Sequence, residues 1–313
     1  MLQASYWILG SHGQLGRAWL AELARAGLPA RGFSRSELDL EDSTSIDSLF
    51  HALKPGDSVL PTAVILTGAY TAVDLAEKPE ERARVFRVNA DAPGRIATHC
   101  ARLGIPFVHY STDYVYPGEG EAPRLETAPT GPLNVYGESK LAGERAVEAA
   151  FRENRATPWL VFRTSWVYDA VGKNFYRTML RLFGERESLS VVADQWGAPS
   201  YAPDLARASL ESLSRAGTDP EDLSGIYHLV HRGETTWHGF AAAILERARA
   251  AGLVKLQTLS PLQTAAYPTP ARRPLNSRLS TAKLQAQLGV RLPTWEDGLD
   301  ACWKSDPARS SRP

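Results

Sequence analysis

Cysteine is scarce in this chain, with two residues in 313, Cys100 and Cys302. They lie far apart and lack metal-type spacing, so neither a disulfide framework nor a cysteine metal centre is expected. Cys100 falls in an apolar helical stretch and reads as a buried free thiol, which fits the cytosol better than an oxidising compartment. An excess of either charge is also missing: Lys plus Arg and Asp plus Glu each total 35. No electrostatic grip on nucleic acid or on an anionic membrane is therefore expected. No apolar run approaches a membrane span, and the first residues lack the charged region and long apolar core of a secretion signal. Internal repeats are absent. A cytoplasmic globular protein with a small-molecule ligand is the expectation.

What is present is an alternation of strands and helices. "SYWILG" (5–10) reads as a buried strand, followed by glycines and the amphipathic helix 17–27. A second strand is expected at 28–34, a helix with a Ser/Thr cap at 43–53, and a third strand at 63–69. A long helix over 79–104 contains Pro93, which predicts a kink or break near Asp91. Strands follow at 105–116 and 159–168, with a helix from about 133 between them. This order predicts an α/β fold built on a doubly wound, Rossmann-type parallel sheet. Beyond residue 166 the pattern is less regular. Helices are expected at 174–187, 202–216 and 235–252, the last capped by Thr235 or Thr236. A strand plus turn is expected at 189–200, a strand at 225–230, a Pro-rich loop at 267–281, and a frayed polar tail after Trp303.

Three constellations carry chemistry. Gly10, Gly13 and Gly16 lie between a strand and a helix, where a tight turn and helix N–H groups can receive a pyrophosphate. At the end of the second strand, where many such sites place an acid for a ribose hydroxyl, stand Ser34 and Arg35. A hydroxyl and a guanidinium suit a 2′-phosphate, so NADPH is expected, with NADH possible. Ser111, Thr112, Asp113 and Tyr114 lie at a strand's carboxyl end, where open α/β sheets bind ligands. Tyr136 and Lys140, four residues apart, share one helical face. The Lys140 ammonium would hold the nicotinamide ribose and lower the Tyr136 pKa, Tyr136 would protonate an oxygen, and Thr112 would orient it.

These residues, with "TAVDLAE", "HYSTDYVYPG", "PLNVYGESKLAGE", "FRTSWVY", "DQWGAP" and "YPTPARRPLNSRL", resemble the extended short-chain dehydrogenase/reductase superfamily. Within it they resemble the dTDP-4-dehydrorhamnose reductase family, from about residue 6 to 303. The resemblance implies NADPH or NADH reducing the 4-keto group of dTDP-4-dehydro-L-rhamnose. Tyr136 matches the proton donor, Lys140 the motif lysine and Thr112 the third catalytic member. Cofactor contacts are implied at Gly13, Gln14, Leu15, Asp39, Leu40, Ala69, Tyr70, Thr71 and Tyr110, and substrate contacts at Thr112, Asp113 and Trp166. It also implies residues 1–165, completed by 201–235, as a dinucleotide-binding domain. Residues 166–200 and 236–305 would form a smaller, mostly C-terminal substrate lobe, and 306–313 a flexible tail.

Two departures from relatives matter. Some relatives dimerise through a magnesium ion held partly by a glutamate just after the glycine turn; here Arg17-Ala18 stand there, so no metal is expected and the chain is a monomer or homodimer. Related sugar-nucleotide dehydratases carry Asp-Glu after the strand-end threonine; here the pair is Asp113-Tyr114, which favours simple reduction. Arg272 and Arg273 either clamp a diphosphate or make surface salt bridges. His228, His231 and His238 read as structural. The competing readings are a non-catalytic NADP-binding regulatory subunit of the same fold and a reductase of another nucleotide sugar.

Overall fold

The computed structural model describes residues 5–307. Its centre is a six-stranded parallel sheet. Strands β1 (Tyr6–Leu9), β2 (Ala30–Phe33), β3 (Ala63–Leu66), β4 (Phe107–Thr112) and β5 (Trp159–Thr164) are joined at one edge by a late strand, Gly225–His228. The spatial order is Gly225–His228, β5, β4, β3, β1, β2. Chain order reverses between β1 and β3, which is where a crevice opens beyond the strand ends in such sheets. Val64, Ile65, Val108, Val161 and Phe162 are fully buried, as both-face coverage of a parallel sheet requires.

Helices cover both faces. Helix α1 (Gln14–Arg25), the helix Ala202–Ala216 and the helix Ala282–Leu288 pack on one. The helices Ser43–Phe50, Ala92–Leu103 and Val135–Phe151 pack on the other. A separate cluster of Tyr168, Tyr176, Phe183, Phe240, Ile244 and Leu299 forms the core of a smaller lobe. The helix Ala282–Leu288, expected with that lobe, packs on the sheet instead, because Leu284 and Leu288 join the sheet's core. Asp306 does not fit the flexible tail expected from 306 onward. It is buried and accepts hydrogen bonds from Tyr176 and Arg177; residues 308–313 of the expected tail lie outside the described residues. Among the described residues no helix is long and apolar enough to cross a membrane.

Several local expectations are corrected. Helix α1 begins at Gln14, three residues early. The helix Ser43–Phe50 is capped by Asp42, whose side chain accepts from the Thr44 N–H, not by Ser or Thr. Pro93 does break its helix: a π-helical segment, Arg87–Asp91, separates Pro79–Phe86 from Ala92–Leu103. It has a consequence for the site. The buried Asn89 side chain accepts from the Tyr70 N–H and donates to the Tyr70 carbonyl and the Ser139 hydroxyl. The loop after β3 is thereby fastened to the helix of Tyr136 and Lys140.

Candidate active site

The crevice begins at the glycine turn. Gly10 has φ +92°, and a Cβ there would lie 2.5 Å from the Gly68 nitrogen after β3. A Cβ on Gly16 would lie 2.3 Å from the Gly10 carbonyl oxygen. Only glycine lets β1, β3 and α1 close up this tightly. Gly13 caps α1 with no side-chain acceptor, so the first-turn N–H groups remain open to a ligand. Gly10, Gly13, Gln14 and Leu15 line a cavity of about 720 Å³, as do Ala69, Thr71, Tyr110, Thr112, Asp113, Tyr136, Lys140 and Trp166. Buried hydroxyls of Ser111 and Thr164 also line it and have no partner within the protein. Orphaned polar atoms beside an uncapped helix start fit an extended polar, anionic ligand.

Tyr136 and Lys140 share the helix Val135–Phe151, whose start is fixed by Asn134 accepting from the Gly137 N–H at 2.8 Å. The Asn134 amide also donates to the Arg272 carbonyl, tying the Pro-rich loop to the helix. Tyr136 sits edge-on to Tyr114 at the cavity wall. The expectation that Lys140 lowers its pKa is not met. Burial pushes Tyr136 up to about 12, the Asp113 charge adds to this, and the Thr112 hydroxyl pulls it partly back. Lys140 is instead turned toward His109 Nε2, at 3.1 Å. Burial draws Lys140 down to about 7, and Glu144 opposes the fall. At neutral pH Tyr136 therefore keeps its proton.

Thr112 ends β4. Its hydroxyl donates to Asp113 at 2.9 Å, and its oxygen accepts from the Tyr114 N–H. Asp113 also accepts from Ser277 of the distant Pro-rich loop. Burial raises Asp113 to about 6, with the Ser277 and Thr112 hydrogen bonds opposing. A folded-state pKa above the ordinary 3.8 favours folding at low pH, and that contribution is lost as pH rises through about 6. Asp113→Asn is accordingly expected to resist urea better than the parent above pH 6, with the two converging below about pH 4. Urea midpoints across that range check this; a parent that is the more resistant at pH 7 contradicts it.

The other expected site residues divide. Asp39, Leu40 and Tyr70 line an adjoining cavity of about 190 Å³, which also takes in Gly10, Arg35 and Ala69. Ser34 lines neither cavity. Its N–H and hydroxyl both donate to Glu37, at 2.9 and 2.8 Å, which weakens its reading as a free phosphate ligand. Arg35 borders both cavities, is held by Glu41 at 2.5 Å, and remains exposed. Tyr110 borders the main cavity, yet its hydroxyl is committed to Trp19 and Ser209. Arg273 is paired with Asp74, the salt-bridge alternative. His228 and His231 are structural, bonded to Tyr116 and Asp204.

Trp166 has φ +49°, the one positive φ outside glycine among the described residues. A bulky residue held there marks strain at a site. Its ring stacks on Trp237 with centroids 3.8 Å apart, and both rings line the cavity. Trp237 and Lys173 were not singled out in the sequence. Neither stands in a motif, and only the folded lobe brings them to the crevice. Among the described residues no group of three or more His, Cys, Asp or Glu side chains is placed to hold a metal ion.

Comparison with known proteins gives this geometry its context. The RmlD substrate binding domain family matches residues 5–306. The chain belongs to this family. A curated member, the dTDP-4-dehydrorhamnose reductase of Escherichia coli K12, is 47% identical over 243 residues, 77% of this chain and 79% of its own. The Burkholderia thailandensis reductase of the same name is 42% identical over 301 residues, covering 94% and 96%. Among solved structures, a Bacillus anthracis dTDP-4-dehydrorhamnose reductase in complex with NADP superposes with a TM-score of 0.84 at 31% identity, covering 96% of this chain and 99% of that one.

Proposed function

We propose that this family member reduces the 4-keto group of dTDP-4-dehydro-L-rhamnose to dTDP-L-rhamnose, with NADPH as hydride donor and Tyr136 as proton donor. The observation that carries this reading is the joint opening of Tyr136, Lys140 and Thr112 onto the crevice that starts at the glycine turn. Gly10, Gly13, Gln14 and Leu15 would hold the cofactor's pyrophosphate, and Asp39, Leu40, Ala69 and Tyr70 its adenosine end. Thr71 and Tyr110 border its path, and Lys140 would hold the nicotinamide ribose. When bound, NADPH supplies the hydride. Thr112 orients the ketone oxygen, and Tyr136, still protonated at neutral pH, delivers a proton to it as charge develops. Asp113 and Trp166 would meet the sugar. Residues up to 165 with 201–235 would act as the cofactor domain and 166–200 with 236–305 as the substrate lobe, apart from the helix noted above.

Reduction is favoured over dehydration because no second carboxylate follows Asp113; Tyr114 stands there. Incubation with the keto sugar nucleotide and NADPH should consume NADPH and yield dTDP-L-rhamnose. Tight NADPH binding without sugar-dependent consumption would favour the regulatory-subunit reading. Arg35 supports NADPH over NADH by its exposed charge beside the adenosine cavity. Arg35→Ala is expected to raise the Kd for NADPH roughly tenfold and that for NADH by less than about twofold. Equal losses in paired titrations would remove Arg35 from 2′-phosphate recognition.

A further inference from the structure

Lys140 carries an ammonium whose side chain is 1% exposed, with the crevice on one side. Its hydrogen-bond partner within the protein is His109, on β4, itself 1% exposed. When Lys140 is protonated its ammonium only donates, so Nε2 of His109 then accepts, and the ring proton sits on Nδ1. Nδ1 has no partner. An unpaired buried N–H is costly, and the fold tolerates it where the other ring nitrogen serves Lys140. Burial, together with the Lys140 charge, holds the His109 pKa well below its usual value, which keeps the ring neutral and Nε2 accepting.

The other groups near Lys140 do not take this role. Glu144, one helical turn on, supports the Lys140 charge from a distance, but both its oxygens are taken by hydrogen bonds from Arg163 of β5, at 2.9 and 2.6 Å, so the hydrogen bond that Lys140 donates goes to His109. Tyr136, one turn before, faces Thr112 and the Asp113 charge. Asp113 is held by Thr112 and Ser277. Asn89 is occupied by Tyr70 and Ser139. We infer that His109 is a positioning residue: a neutral imidazole that accepts one Lys140 N–H, keeps the ammonium charged in a buried site, and leaves its other two N–H groups for ligand hydroxyls. The inference rests on the reductase reading for its consequence in turnover, but not for its consequence in cofactor binding.

The test is the pH dependence of NADPH affinity, read by cofactor fluorescence, and of kcat/KM in the parent, His109→Leu and His109→Gln. Lys140 loses its proton as pH rises, so both profiles fall on the alkaline side. In His109→Leu that limb is expected to move down by about one pH unit, a tenfold change in proton concentration, with kcat falling more than the sugar KM rises. His109→Gln, whose amide oxygen accepts, should restore most of the shift. If His109→Leu does not fold, His109→Met, similar in length and a weak acceptor, takes its place. A folded Leu or Met variant whose alkaline limb stays at the parental pH overturns the inference, whatever its stability. A limb that moves in NADPH binding while the parent leaves the sugar unreduced supports the inference and sinks the reductase reading.

Discussion

Tyr136→Phe is expected to keep NADPH affinity within about twofold and to lose about 10²–10⁴ of its turnover, the span of a lost general acid. The phenol lines the cavity wall, keeps its proton at neutral pH and belongs to the helix carrying Lys140. The ring itself packs edge-on to Tyr114, a contact that phenylalanine preserves. The substitution therefore removes the hydroxyl, with its proton and its Thr112 hydrogen bond, and keeps the ring packing. Steady-state kinetics beside a cofactor titration separates the two effects. Near-parental turnover would assign the proton to another donor, and a parallel loss of NADPH binding would make Tyr136 a binding residue.

Glu144→Ala is expected to destabilise the fold by about 3–5 kcal/mol, because it strands a buried guanidinium. Glu144 and Arg163 side chains are 1% and 5% exposed, and Arg163 reaches on to Tyr116, which meets His228. This chain of contacts joins the Tyr136 helix to β5 and the late edge strand. Replacing both partners, Glu144→Leu with Arg163→Met, should recover most of the loss, since desolvation of the ions is removed together with their attraction. Urea unfolding of the single and double variants decides this. A Glu144→Ala variant within about 1 kcal/mol of the parent would show that the pair is solvated in solution.

The order of strands and helices was legible because most elements carry a clear period and a clear stop. Pro93 announced the break that became the π segment, and Gly104, with φ +70°, ends the helix that follows. The C-terminal third was less legible. The strand Thr258–Leu262 contains Pro261, half exposes its residues and pairs with Ser188–Val192 away from the main sheet. The helix Trp295–Ser305 was passed over although Thr294 and Asp297 form a reciprocal capping box visible in the sequence.

In the site, helical spacing sufficed to bring Tyr136 and Lys140 together, and a strand end sufficed for Thr112. What spacing could not give was environment. The Tyr136 pKa is set by burial and by Asp113, and Lys140 is met by His109 from another element. Trp237 reaches Trp166 only through the lobe's packing. Ser34 looked free in sequence, but Glu37, three residues on, folds back onto it.

The central claim is a single hydride delivered to the sugar's C4 with no exchange at neighbouring carbons. The most direct test is turnover of dTDP-4-dehydro-L-rhamnose with NADPH deuterated at the transferring position, followed by mass and NMR analysis of the product. One cofactor-derived deuterium at C4 of dTDP-L-rhamnose, with no solvent hydrogen newly fixed on C3 or C5, is the expected result. Solvent-derived hydrogen at C3 or C5, or a product without cofactor deuterium, would contradict it.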